Sequence, residues 1–382
     1  MSESQGRASD LRSCACGRAA KRAKVQGVEA YVVGGAVRDE LLGLPVQDRD
    51  YVVVGATPEE MTAAGFRPVG KDFPVFLHPQ THEEYALART ERKSGRGYRG
   101  FTVYSAPDVT LEQDLARRDL TINAMAKAAD GTLIDPFDGK TDLRNGVLRH
   151  VSAAFEEDPV RILRVARFAA RFAFRIADDT LALMQRMVAS GEADHLVPER
   201  VWQEFARGLA EPQPRRMFDA LERCEFRARL LPELKSIPDI FAGPLPVRFA
   251  HLCWHLTEGE IQGLCERLRV PNEERELALL ACRTKKLLGA TQPGELLNLF
   301  KRADAFRRPE RFALLLQAAK LAQPGFNSER IEKALAAANA VDAGEIARKA
   351  SAPAAISALL DQAREQAIAA ALPDSGSKKG TT

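Results

Sequence analysis

Apolar and polar positions change rhythm twice along the chain. Between residue 28 and about residue 150, short apolar runs alternate with Gly, Pro and charged residues. Residues 31–33, 51–54, 75–78 and 84–88 read as strands, and 36–42, 57–64 and 111–127 as helices. The helix at 57–64 has a clear start, with Thr57 as N-cap and Pro58 as its first residue. From about residue 157 onward the rhythm is helical, through 177–190, 196–205 and 214–224 into a final third rich in Ala and Leu. Before residue 28 no periodicity is present. Arg7, Arg12, Arg18, Lys21, Arg22 and Lys24 stand there among Ser, Gly and Ala, as in a disordered basic tail. The pattern predicts an α+β chain, with a short mixed sheet and helices first (28–150), then a helical neck (151–230) and a helical body and tail (231–382).

The densest chemistry falls in residues 31–54. A strand runs into Gly34-Gly35, a short helix follows, and Asp48-Arg49-Asp50 leads into the next strand. Carboxylates at i and i+2 of an extended chain project to one side. Beside a Gly-Gly turn that opens a helix, such a pair can hold a divalent metal near a triphosphate. Gly35 lets the backbone approach phosphate closely, and Arg38 adds a cation. Taken singly, a D-x-D is a solvated strand start and a Gly-Gly is a turn; the combined order is far more restrictive. Glu84, on a later strand, is a candidate third carboxylate, with Glu83 adjacent.

Composition narrows the picture only a little. The 382 residues are 45% hydrophobic and 28% charged, with a net charge of +3, too small by itself to diagnose nucleic-acid binding. No apolar run approaches the ~18 residues of a membrane span, and no signal-peptide core opens the chain, so a cytoplasmic protein is expected. Six cysteines are scattered, and Cys14 and Cys16 lack partners that would complete a zinc site. Reduced, incidental thiols are the simpler reading.

Three further stretches carry charge in an unusual arrangement. Residues 89–99 hold five cations in a Gly-rich loop with one aromatic residue, Tyr98, able to close over nucleotide or to serve as a solvated hairpin loop. Residues 117–124 read R-R-D-L-T-I-N-A, and 135–139 read D-P-F-D-G. In the helix that follows Asp158-Pro159, Arg161, Arg164, Arg167 and Arg171 fall within about a third of the circumference. The bland reading makes Asp158 an N-cap and the arginines a solvated face. Like charges at i,i+3 repel, however, so an anion should sit against that row.

Strand, G-G-x-x-R-D, D-x-D, strand resembles the nucleotidyltransferase family that includes DNA polymerase β. R-R-D-L-T-I-N-A and the E-D-x-x-R at Glu157 to Arg161 resemble one branch of it, the CCA-adding tRNA nucleotidyltransferases of bacteria, a class shared with bacterial poly(A) polymerase. The resemblance is strong over about residues 28–235. It implies a polymerase-β-like head and an enzyme that extends the tRNA 3′ end with CTP and ATP, with Mg²⁺ on Asp48 and Asp50. It also implies Arg118 as a nucleotide contact, Asp119 as a ribose contact, Asp158 and Arg161 as the pair that reads the incoming base, and Arg164 and Arg167 on triphosphate and sugar. The C-terminal body would bind tRNA, and a monomer is expected. Poly(A) polymerase, an enzyme adding only CC or only A, and a catalytically idle RNA-binding module are the alternatives. Many relatives carry a phosphohydrolase region with a His-Asp pair where this chain has Trp254-His255. No phosphohydrolase activity is therefore expected.

Overall fold

The computed structural model describes residues 24–25, 28–69, 75–93, 101–349 and 352–372, with backbone only at 24–25, 91–93, 101–103 and 349. Two compact units divide the chain, residues 1–92 with 102–141, and residues 93–101 with 142–382.

The first unit is built on a mixed sheet. Strand β1 (Lys24–Val25) pairs antiparallel with β2 (Val28–Val33), so the fold begins earlier than the periodicity predicts. The rest of the proposed basic tail lies outside the described residues. Gly34 then takes φ +70° and opens helix α1 (Gly35–Leu41). The β-branched run of β3 (Asp50–Val54) suits a pleated, half-buried surface, and it pairs antiparallel with β2. Helix α2 (Pro58–Ala63) starts as predicted, since Thr57 and Glu60 cap each other reciprocally.

Strands β4 (Arg67–Val69), β5 (Val75–Leu77) and β6 (Glu84–Leu87) complete one edge, β6 lying parallel to β3. Val28, Ala30, Val53, Met61, Phe66, Phe76, Tyr85 and Leu87 form the core beneath this sheet. Tyr51 and Tyr85, in register on β3 and β6, stack at 4.2 Å between ring centroids. Strands β7 (Thr90–Lys93) and β8 (Phe101–Tyr104) form a separate ribbon. The basic loop predicted between them lies mostly outside the described residues.

The helix predicted over 111–127 is not continuous. Helix α3 spans only Leu111–Ala116, a 3₁₀ turn covers Thr121–Asn123, and β9 (Ala126–Lys127) pairs with β2 and β10 (Leu133–Ile134). The cause is local. Asp119 Oδ1 accepts the Leu120 amide at 2.8 Å and the Asn123 side-chain amide at 2.9 Å, which competes with helical pairing and leaves Leu120 extended. Helix α4 (Gly139–Arg144) follows.

The second unit is almost entirely helical. A short parallel pair, β11 (Val147–Leu148) with β12 (Arg175–Ile176), is set among its helices. Helix α5 (Val160–Phe172) packs against α7 (Pro198–Ala210) and α8 (Pro214–Arg223), with α6 (Asp178–Ala189) between α5 and α7 in sequence. Trp202 is buried, its ring edge-on to Phe249 at 5.5 Å, as the core reading predicts, and His195 is solvent-exposed. Helices continue to Ala371. Among the described residues no helix is long and apolar enough to cross a membrane. Cys224, Cys253, Cys265 and Cys282 are free thiols, and burial pushes Cys224 up to about 11. Cys14 and Cys16 lie outside the described residues.

Candidate active site

Asp50 is the first residue of β3 and Asp48 lies two positions before it; both are exposed. Neither side chain forms a hydrogen bond or ion pair with a described residue. Register sets Glu84 directly beside Asp50 on the parallel neighbour, and in-register residues of paired strands share a face. Glu83 points elsewhere, taking the Thr81 hydroxyl at 2.8 Å. Among the described residues no three His, Cys, Asp or Glu side chains are grouped tightly enough to cage a metal. Asp48 and Asp50 offer exposed carboxylate oxygens. That fits a small hard cation such as Mg²⁺, which is held by one or two carboxylates and completes its shell with water and substrate phosphates.

The Gly-Gly turn is the second part. Gly34 has a positive φ that favours glycine, and a Cβ there would come within 2.8 Å of Arg118 Nη1, so a larger residue would push on the arginine. The Arg118 guanidinium thus lies against the turn. Asp114 holds it there. This fully buried carboxylate takes Arg118 Nη2 at 3.1 Å, Arg117 Nη2 at 2.7 Å and the Arg89 amide at 3.3 Å. Burial pushes the Asp114 carboxyl up, but the Arg118 and Arg117 guanidiniums outweigh it and hold it below the usual carboxylate range. Arg118 Nε is left buried and without a partner. An unpaired donor on a cation beside a glycine turn is suited to an anionic oxygen.

Two residues expected to face the nucleotide are turned inward. Arg38 is only 4% exposed; its Nη1 donates to Asn123 Oδ1 at 2.6 Å and its Nε to Asp39 Oδ1 at 2.8 Å. It ties α1 to the Thr121–Asn123 turn. Asp119, expected on the ribose, is buried and spends Oδ1 on Leu120 and Asn123. Gly35 packs on the Arg38 guanidinium, 3.4 Å from where its Cβ would stand. The D-P-F-D-G stretch buttresses the same turn. Asp135 caps the Gly139 and Lys140 amides at 2.7 and 2.9 Å, and a Cβ on Gly139 would strike the Thr121 carbonyl at 2.2 Å.

In the second unit, Asp158 Oδ1 accepts the Val160 amide at 3.2 Å, at the start of α5. Arg161 is buried, with Nη1 on the Ala154 carbonyl at 2.6 Å. The anion expected against the arginine row is supplied by the protein itself. Glu204 of α7, only 5% exposed, meets Arg167 at 2.6 Å and Arg164 at 3.5 Å, and Glu211 lies 3.6 Å from Arg167. Arg167 is buried, flanked by two carboxylates and set 4.4 Å from the Phe168 ring centroid. Through Glu204 it braces α5 against α7. Arg164 keeps 34% side-chain exposure. Glu204 and Arg200 were not singled out from sequence, because V-P-E-R-V-W-Q-E reads adequately as an amphipathic core helix.

A carboxylate pair at the start of a strand of a mixed sheet, beside a glycine turn overlaid by an arginine, defines a nucleotidyltransferase head. Residues 30–149 match the family described as Poly A polymerase head domain, and residues 173–237 match the probable RNA and SrmB-binding site of polymerase A. A Multifunctional CCA protein of Burkholderia cenocepacia is 54% identical, over 90% of this chain and 98% of its own. The structure titled CCA-adding enzyme apo form II has a TM-score of 0.70 at 22% identity, covering 92% of this chain and 89% of that one. The Bacillus stearothermophilus CCA-adding enzyme in complex with CTP has a TM-score of 0.65 at 23% identity, covering 90% and 89%. The chain belongs to the family of multifunctional CCA proteins, the CCA-adding tRNA nucleotidyltransferases.

Proposed function

We propose that the protein adds C, C and A, without a nucleic-acid template, to the 3′ end of tRNA, drawing on CTP and ATP and releasing pyrophosphate. The observation that carries this reading is the exposed Asp48–Asp50 pair at the start of β3, with Glu84 in register beside Asp50, in a chain of this family. Asp48 and Asp50 hold Mg²⁺, which when bound lowers the pKa of the tRNA 3′-hydroxyl and balances charge on the departing pyrophosphate. Arg118, fixed by Asp114, binds phosphate oxygen through its guanidinium. Arg164 adds a cation to the triphosphate, and Arg167 keeps α5 in place. Asp158 accepts from the exocyclic amine of C or A, and Arg161 donates to the adjacent ring acceptor; U and G offer a carbonyl where the amine should be. Residues 173–237 and the helical body beyond them bind tRNA. The enzyme works as a cytoplasmic monomer.

The test uses purified protein, Mg²⁺ and tRNA transcripts ending before, within or after CCA, with each nucleoside triphosphate alone and together. Addition of C, C and A followed by a stop is expected. A run of A on any RNA would make it a poly(A) polymerase instead. A stop after CC, or A added only to a CC end, would make it half of a divided system. No phosphohydrolase activity is expected, and nickel-stimulated hydrolysis of cyclic nucleotides would contradict that.

A further inference from the structure

Asp158 is held from two directions. Its Oδ1 accepts the Val160 amide at 3.2 Å and Arg200 Nη1 at 3.2 Å, while Oδ2 accepts Arg200 Nη2 at 2.7 Å. An ionised carboxylate offers about four acceptor positions, so these three donors leave roughly one open, on Oδ2. A two-pronged contact with a planar guanidinium fixes the plane of the carboxylate as well as its place. The amide contact ties the same group to the first turn of α5. Arg200 and Glu204 stand four residues apart on α7, and residues at i and i+4 share a helix face. One face of α7 therefore grips α5 at both ends of the arginine row, Arg200 through Asp158 and Glu204 through Arg164 and Arg167.

We infer that Arg200 is a specificity-determining positioning residue, which sets nucleotide choice by fixing the Asp158 carboxylate plane without itself reading the base. The inference rests on Asp158 as the base-reading carboxylate. A fixed carboxylate with one open acceptor position takes one N–H from the amine of C or A and meets the carbonyl of U or G oxygen to oxygen. A carboxylate free to turn can swing toward the ring N–H of U or G and take that instead. Discrimination is then lost although both base-reading side chains remain.

The test measures kcat/KM for single incorporation of each of the four nucleotides on a tRNA transcript lacking CCA. It compares the wild type, Arg200→Gln, Arg200→Lys and Asp158→Asn, with melting temperatures alongside. Arg200→Gln should raise UTP and GTP use relative to CTP by about tenfold, with kcat for CTP within about threefold of wild type. Arg200→Lys, which keeps the charge but offers no planar fork, should fall between the two. An unchanged ratio in both Arg200 variants, or a uniform loss across all four nucleotides, would overturn the inference. If Arg200→Gln does not fold, Arg200→Lys decides. If Asp158→Asn also left the ratio unchanged, the base-reading assignment would fall, and the inference with it. A shifted ratio in Asp158→Asn alone would remove only the role of Arg200.

Discussion

The Arg38 guanidinium and the Asn123 carboxamide, 85 positions apart in sequence, meet at 2.6 Å inside the first unit. Asn123 donates in turn to Asp119, and Arg38 donates to Asp39, so four side chains form one buried polar chain. Its ends tie helix α1, which follows the Gly34 turn, to the 3₁₀ turn after Arg118. The turn and the arginine that overlies it are thus set by one network. Asn123→Ala would remove the acceptor for Arg38 Nη1 and the donor to Asp119 together. A buried group left unsatisfied costs about 1–3 kcal/mol, more when it is charged. Urea unfolding should show a loss of at least that size, with nucleotide transfer falling as the turn loosens; an unchanged midpoint would mean the network is not structural.

Replacing Asp48 or Asp50 with Asn should leave the fold and tRNA affinity intact, because neither side chain bonds a described residue. Transfer should fall by about 10³-fold or more, equivalent to several kcal/mol of lost transition-state stabilisation. Glu84→Gln should have a smaller effect, since Glu84 neighbours Asp50 without belonging to the D-x-D. Rates measured across a Mg²⁺ titration check this. A variant that recovered full rate at high Mg²⁺ would mark its carboxylate as tuning metal affinity only.

How far these features were legible from sequence depends on how local their causes are. The strand, Gly-Gly, helix and D-x-D order reads directly, because each signal lies within a few residues of its effect. Thr57 and Glu60 read equally well, since a capping box is a three-residue matter. The break after Ala116 did not. It depends on Asp119 bonding Leu120 and Asn123, and a hydrophobic repeat does not register a side chain competing for backbone amides. The contact between Arg38 and Asn123 spans 85 residues, so no local pattern around Arg38 announces it. The anion opposing the arginine row belongs to a helix 37 residues further on, and Asp158 is gripped from 42 residues away. No periodicity within α5 carries that information.

Gly34→Ala tests the contact between turn and arginine. At φ +70° and ψ −126° Gly34 lies outside the left-handed helical well, where a non-glycine residue costs about 1–3 kcal/mol, and the new methyl would also press on Arg118 Nη1. Arg118 sits in the proposed phosphate contact, so KM for CTP should rise more than the melting temperature falls. A loss of stability with unchanged KM would place Arg118 away from the nucleotide.

Asp114 gives a pH signature with a definite sign. Its carboxyl is held below the ordinary range by Arg118 and Arg117, so the folded state favours the ionised form. Its contribution to stability is complete above about pH 3.9, the ordinary Asp value, and is lost as pH falls through the lower folded value. Asp114→Asn should destabilise at neutral pH and flatten the acid limb of the stability curve. An acid limb of unchanged slope would show that other carboxylates set it.

The arginine row of α5 separates into parts that respond differently to mutation. Arg167 and Glu204 are both buried, and removing one leaves the other with only a longer contact, Glu211 for Arg167 or Arg164 for Glu204, so the cost falls toward the lower end of the about 3–5 kcal/mol typical of broken buried pairs. Glu204→Gln and Arg167→Ala should therefore each lower the melting temperature sharply. Replacing both with apolar residues of similar volume should recover much of that loss, because no charge is then left buried alone. Arg164 is partly exposed and 3.5 Å from Glu204, a weaker contact in which solvent screens the charges. Arg164→Ala should leave the melting temperature nearly unchanged and raise KM for both CTP and ATP, as loss of a triphosphate contact shared by the two nucleotides requires. A KM effect confined to one nucleotide would instead place Arg164 at the base. A raised KM in a stable, doubly apolar Arg167 and Glu204 variant would place Arg167 at the nucleotide.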